Sequence, residues 1–333
     1  MTDASEKVPE ADRIDDIPYT GSATAILAEP PHSLYVNLAA REAVNTFMAE
    51  ERTITVRTVA IVIAAAIALV VLLVCRQAGI GIVVSLAACG MGALWGVRAR
   101  FRHFEQLRGI VTNDCDPLKM LGVINILLDE DLLAANHTRL QYMRAMCLAE
   151  LGRADEALTQ VDMLVAKEGV RKRFGLETLE VRTMAYGQTG DRGRLEEVYD
   201  QARKLLDESR NGSRRQARIS MMLELADGRL ALLDKEYDHC RRQLQLVLDA
   251  SPTPQERAMA EYRLGEVEEA TGDVVEASRH YAYAALHGGT LVVQGAAEAK
   301  LTGNAEGAAP ASADVTANLS GLMTDDVLPE DAL

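Results

Sequence analysis

Residues 262–284 read YRLGEVEEATGDVVEASRHYAYA, and this stretch decides the fold. Two apolar-striped runs flank Gly272-Asp273, which reads as a helix stop followed by a polar turn. Glycine at such a turn adopts the left-handed conformation that ends a helix, at little steric cost. Gly265 and Ala277 are small, so two antiparallel helices can approach closely there, and Tyr281 is large enough to fill the space beside them. The stretch is a pair of helices.

The chain repeats it. With Thr138 counted as the first residue of a unit, Ala145, Leu148, Gly152, Ala157, Val161 and Leu164 stand at positions 8, 11, 15, 20, 24 and 27. In the opening stretch those positions hold Gly265, Glu268, Gly272, Ala277, Tyr281 and Ala284. A third unit has Thr183, Tyr186, Gly190, Leu195, Tyr199 and Ala202, and a fourth has Gly228, Ala231, Lys235, Cys240, Leu244 and Val247, closed by Pro252. The turns lie 38, 45 and 37 residues apart, and the longest interval holds a polar linker, Ser209 to Arg215. A degenerate unit precedes these. Phe104, Leu107 and Val111 share a face, Asp114-Cys115-Asp116-Pro117 makes a turn, and Met120, Ile124 and Leu127 continue the stripe. Stacked helical pairs build a binding surface rather than a catalytic pocket.

Over roughly residues 101–288 the pattern resembles the tetratricopeptide repeat (TPR) family. The first-helix Trp of that family is replaced by Gln141, Leu179, Glu224 and Glu261, and the intervals exceed the ideal of about 34 residues. The resemblance implies an all-α chain with a solenoid of about four helix pairs plus one degenerate pair over 98–288. It also implies a concave groove lined by positions 2, 5, 9 and 12 of each first helix. Here that groove comprises Arg139, Tyr142, Met146, Glu180, Met184, Met222, Leu225, Arg229, Met259, Tyr262 and Glu266. Its four methionines offer an adaptable surface to an apolar peptide face, or else pack between adjacent units.

Ahead of the repeats lies a membrane hairpin, residues 58–97. Thr58 to Cys75 gives 18 residues without a charge, and Ala78 to Val97 gives 20 more after Arg76-Gln77. Each approaches the length needed to cross a hydrocarbon core of about 30 Å. The competing reading is a buried helical hairpin in a soluble core. Arg52 and Arg57 flank the entry, and Arg98, Arg100 and Arg102 the exit, against Arg76 alone in the connecting turn. The positive-inside rule then puts both termini and the repeats in the cytoplasm. Ala60, Ala64 and Ala68 form one small-residue ridge and Ala88, Gly92 and Gly96 another, suited to packing the hairpin, with homo-oligomerisation as their alternative use. Neither span carries an ionisable group, which favours an anchor over a transport path.

Residues 1–33 are acidic, proline-bearing and expected to be disordered. Leu34, Leu38, Val44 and Met48 give 34–54 the pattern of an amphipathic helix, lying along the inner membrane surface or docked on the repeats. The second span runs toward the first repeat helix with no Gly or Pro between Val97 and Leu107. Beyond Gly288, Leu291-Val292-Val293 caps the last repeat, and 289–333 otherwise reads as a mostly disordered acidic tail. An excised fragment, 101–300, is expected to be soluble and helical.

The net charge of −14 resides mainly in the ends: residues 1–50 and 281–333 carry −6 each. No broad basic surface is left for nucleic acid. Arg171-Lys172-Arg173 and the set Arg210, Arg214, Arg215, Arg218 read as solvated loops, or as contacts to anionic lipid headgroups or an acidic peptide. The five cysteines have no metal or disulfide spacing, the six histidines do not converge, and the glycine pairs at 79–81 and 90–92 sit inside an apolar span. Nothing points to an enzyme or a cofactor. The sequence reading is a membrane-anchored scaffold or adaptor that binds a partner protein or peptide through the groove and lipid through 58–97. The alternative is an accessory subunit of a membrane-bound enzyme or secretion complex.

Overall fold

The computed structural model describes residues 32–74, 78–166, 174–209, 212–250 and 252–303, and within these the chain is all helical. The helices are α1 (Ala40–Val74), α2 (Ala78–Thr112), α3 (Pro117–Asp129), α4 (His137–Glu150), α5 (Ala154–Val165) and α6 (Gly175–Thr189). They continue with α7 (Arg192–Asp207), α8 (Arg214–Leu233), α9 (Tyr237–Asp249), α10 (Pro254–Thr271), α11 (Val274–His287) and α12 (Val292–Thr302). The expected N-terminal tail through Pro31, Cys75 and Arg76, Arg171 to Arg173, Arg210, and everything past Gly303 lie outside the described residues.

Local chemistry sets the boundaries. Gly152, Gly190 and Gly272 end their helices in the left-handed region, at φ of 79°, 69° and 91°. Lys235 does the same without being a glycine, at 62°, which an L side chain adopts at some cost. Asp116, Asp191, Ser213, Thr253 and Asp273 cap the helices that follow them, each side chain accepting a backbone N–H of the first turn. At Thr253 the reciprocal bond from its own N–H to Glu256 completes a capping box. Every repeat turn expected from the sequence is therefore a turn between two helices that pack on one another.

Helices α2 and α3 occupy the stretch where the sequence reading placed a degenerate first unit. Phe104, Leu107, Val111, Met120, Ile124 and Leu127 are all buried, and the turn between the helices places Cys115 at φ 53°. Three boundaries differ from the sequence reading. First, 34–54 is not a helix of its own: α1 runs unbroken from Ala40 through the first apolar segment, and α2 likewise carries the second apolar segment into the repeats. Exposed arginines at 52 and 57 break an apolar run without breaking a helix. Second, the N-terminal half of α1 docks on the repeats: Tyr35, Ala43, Val44 and Phe47 join the core of Phe104, Leu107 and Ile124, while Leu34 stays exposed. Third, the stretch after 289 is structured as far as Thr302, because Val293 and Ala297 of α12 pack on Tyr281 and Ala284.

Two helices are long and apolar enough to cross a membrane, and their apolar faces turn outward. Only 6 % of the most apolar window of α1 and 22 % of that of α2 is buried, so neither is the core of this chain. Along the shared seam a Cβ on Gly92 would lie 2.7 Å from Ile61, and one on Gly96 would lie 2.9 Å from Thr58. Ser85 Oγ donates to the Ala65 carbonyl at 3.1 Å across the same seam. Gly92 and Gly96 thus pack the hairpin, but Ala60 and Ala64 do not: both face outward, and α1 presents Thr58, Ile61 and Ala65 to its partner.

Candidate functional site

The first helices of the units, α4, α6 and α8, stand side by side, with α5, α7 and α9 packed behind them. Inter-unit bonds recur. Gln188 of α6 donates to the Ala149 carbonyl of α4 at 2.6 Å, and Arg229 of α8 donates to the Gly187 carbonyl of α6 at 2.6 Å. Tyr142 and Thr178 share a hydroxyl bond of 2.8 Å, and Arg218 pairs with Glu180. Each first helix is thereby bolted to the next.

The row then closes on its own beginning. The Thr290 N–H donates to the Cys115 carbonyl at 2.8 Å, and the Thr290 hydroxyl donates to Asp116 at 2.9 Å. The Leu118 N–H donates to the same hydroxyl at 3.2 Å. Gln255, at the start of α10, donates to the Glu150 carboxyl at the end of α4. Cys115, 1 % exposed, belongs to the apolar cluster of α10, α11 and α12 rather than to that of its own unit. The helix pairs thereby curve round a chamber that stays partly open to solvent, where the resemblance implied a concave groove.

That chamber has a volume of about 980 Å³ and is walled by α2, α4, α6, α8 and α10, with the start of α12. Nine of the eleven groove residues expected from the sequence line it; the exceptions are Tyr262 and Glu266. Tyr262 is turned into the core, its ring 5.6 Å from that of Tyr281. Glu266 pairs with Arg263 and lies 3.5 Å from Arg229. The methionines divide their roles. Met222 is 6 % exposed and packs with Leu179 and Ile219 as well as touching the chamber, whereas Met146, Met184 and Met259 are half-buried at its wall. Met120, Met143 and Met221 were missed by the positional reading, because the wall also draws on α3 and on neighbouring turns of α4 and α8.

The polar groups of the wall are mostly committed to each other. Arg139 lies 3.5 Å from Glu105, and burial holds its guanidinium below the usual arginine value. Burial, aided by Arg263, lowers Arg229 to about 10. Burial also raises Glu180. Glu150 is the outlier. It is 3 % exposed, and burial pushes its carboxyl up to about 8, the Gln255 bond and the Arg108 charge offsetting only part of that. One carboxyl oxygen takes the Gln255 bond; the other has no partner, and neither do Thr183 Oγ1 and Gln188 Oε1 nearby in the lining. Position rules assign none of these three to the groove, and a Glu at a helix end carries no sequence mark of burial.

Among the described residues no group of three or more His, Cys, Asp or Glu side chains is arranged to hold a metal ion. His239 instead bonds Asp227 at 2.9 Å and His280 bonds Glu261 at 2.7 Å. No family model, no curated protein and no solved structure matches the chain.

Proposed function

We propose that this chain is a membrane-anchored, TPR-like adaptor. Two apolar spans hold it in a bilayer, and the closed row of helix pairs takes the apolar part of a partner into its chamber at the cytoplasmic face. The observation that carries this reading is α2, one helix that is apolar and outward-facing in its first half and a chamber wall in its second. A site built on the same rod as the anchor is held beside the bilayer. Orientation rests on Arg52, Arg57, Arg98, Arg100 and Arg102, all at the repeat end of the two spans. The methionine-rich lining supports binding of apolar surface, since thioether side chains adapt to irregular shapes. The pairing of Arg139, Arg218 and Arg229 with carboxylates leaves no strong net field to favour a highly charged ligand.

A photo-crosslinking side chain at position 146 or 222 tests the reading in cells. Adducts in the membrane fraction are expected from both positions, and none from position 163, which is exposed on α5. Adducts from 163 alone would remove the chamber from the proposal. A chain recovered with soluble protein after gentle lysis would remove the anchor.

A further inference from the structure

We propose that the chamber binds the hydrocarbon chain of a single-tailed amphiphile with an anionic head, drawn from the membrane that α1 and α2 enter. The inference rests on the reading of the chamber as a binding site beside a bilayer, and it names the chemistry of the occupant.

Three observations carry it. The first is closure. Thr290 on Cys115 and Gln255 on Glu150 join the two ends of the row of helices, so the inner wall lines a partly open chamber rather than a flat face. A volume of about 980 Å³ fits the range of small-ligand sites, about 300–1,000 Å³.

The second is the state of the wall. An extended peptide brings one N–H and one C=O per residue, and each left unpaired in a buried site is costly. Of its polar groups, Arg139, Arg218, Arg229 and Gln255 already serve Glu105, Glu180, the Gly187 carbonyl and Glu150, and the unpartnered Thr183 Oγ1 and Gln188 Oε1 are buried away from the open space. A hydrocarbon chain asks for no such partners and gains with every methylene it buries. Met146, Met184, Met259, Phe104 and Leu225 supply the apolar contact.

The third is a basic side chain in the lining. Arg108 has Glu105 as its nearest carboxylate among the described residues, at 4.0 Å, which leaves its guanidinium free to turn toward a ligand. It acts electrostatically on Glu150, whose second oxygen is buried without a partner. Arg108 therefore presents its donors to one anionic head. The route is short. Phe101 of the lining follows Val97, the end of the apolar segment, by about 6 Å along α2.

The test uses the full chain, purified in detergent and moved into nanodiscs of zwitterionic phospholipid, with a fluorescent 16-carbon fatty acid as probe. Saturable binding of one probe per chain is expected. Met184→Trp and Met259→Trp, which fill the chamber from half-buried positions, should each weaken binding at least 10-fold at unchanged helicity and Tm. Arg108→Gln should weaken the fatty acid several-fold while leaving displacement by the corresponding fatty alcohol unchanged. Organic extraction of the unmodified chain should release a single-tailed amphiphile in stoichiometric amount, a readout that depends on no variant. Equal binding by both tryptophan variants, or extraction of bilayer phospholipid alone, would overturn the proposal. A peptide crosslinked from position 146 or 222 in place of an amphiphile would overturn the hydrocarbon occupant and leave the adaptor reading standing. Recovery of the chain as a soluble protein that still binds the probe would sink the membrane anchor instead.

Discussion

Gly289 lies so close to Cys115 that a Cβ added to it would sit 2.3 Å from the Cys115 carbonyl oxygen. Gly289 also has φ of 57°, a conformation that disfavours side chains. Both features belong to the contact that closes the row of helices. Gly289→Ala should therefore destabilise the chain by roughly 1–3 kcal/mol, read by chemical denaturation. Hydrogen exchange should rise in α3 and α12 together. A rise confined to α12 would show that the two ends do not depend on each other.

Two glycines at the same repeat position should respond with opposite signs. A Cβ on Gly265 would lie 2.5 Å from the Tyr281 ring, whereas one on Gly228 has nothing closer than 3.5 Å. Gly265→Ala should cost about 1–3 kcal/mol by overpacking. Gly228→Ala, in the middle of α8, should gain about 0.5–1 kcal/mol through helix propensity. Thermal unfolding of the pair settles it: Tm falls in the first and rises in the second.

Glu150 makes stability depend on pH in an unusual direction. Its folded carboxyl is raised to about 8 from a usual 4.5, so the folded state keeps a proton that the unfolded state releases. The penalty for burying this group is absent below about pH 4.5 and grows as pH rises to about 8. Glu150→Gln keeps an acceptor for Gln255 and has nothing to ionise. The variant should be more stable than the parent at pH 8, by on the order of 1–3 kcal/mol, with the gap closing toward pH 5. Denaturation curves at a series of pH values check this, and a gap that widens on acidification would refute it.

The structure changes the expectation for the excised fragment 101–300. Tyr35, Val44 and Phe47 are all 1 % exposed or less and pack on Phe104 and Leu107. A fragment without them uncovers the core of the first unit, and large-to-nothing losses of this kind cost several kcal/mol in total, about 3–5 kcal/mol for a single Phe. It should aggregate or unfold at lower temperature than the full chain in detergent. Adding residues 32–56 back as a separate segment should restore solubility, as read by size-exclusion chromatography.

The local parts of this fold were legible because they rest on local chemistry. Gly152, Gly190 and Gly272 mark turns by their freedom at positive φ, and the spacing of Phe104, Leu107 and Val111 marks a buried face. Lys235 was found only through register, since a lysine announces no turn. The closure was not legible. It depends on how each pair tilts on the next, summed over five pairs, and on the meeting of Thr290 with Cys115. Nine chamber residues were reached through the groove positions that the family resemblance implies. Helix α12 was hidden by composition, because Gly295, Ala296 and Ala297 look like tail until Val293 finds Tyr281. For α1, small-residue spacing indicated that close approach was feasible and not which face would use it. The packing of Thr58 and Ile61 on Gly96 and Gly92 made that choice and left Ala60 and Ala64 outside.

One property of α2 reaches beyond the site. Its 35 residues form a single rod of about 52 Å, and Phe104, Arg108 and Val111 are carried on its far end. Nothing between Ala78 and Thr112 interrupts it, so the apolar half has no freedom to pivot independently of the half that walls the chamber. Its far end is packed against α3 and α10, so any tilt of the rod is passed directly to those two helices.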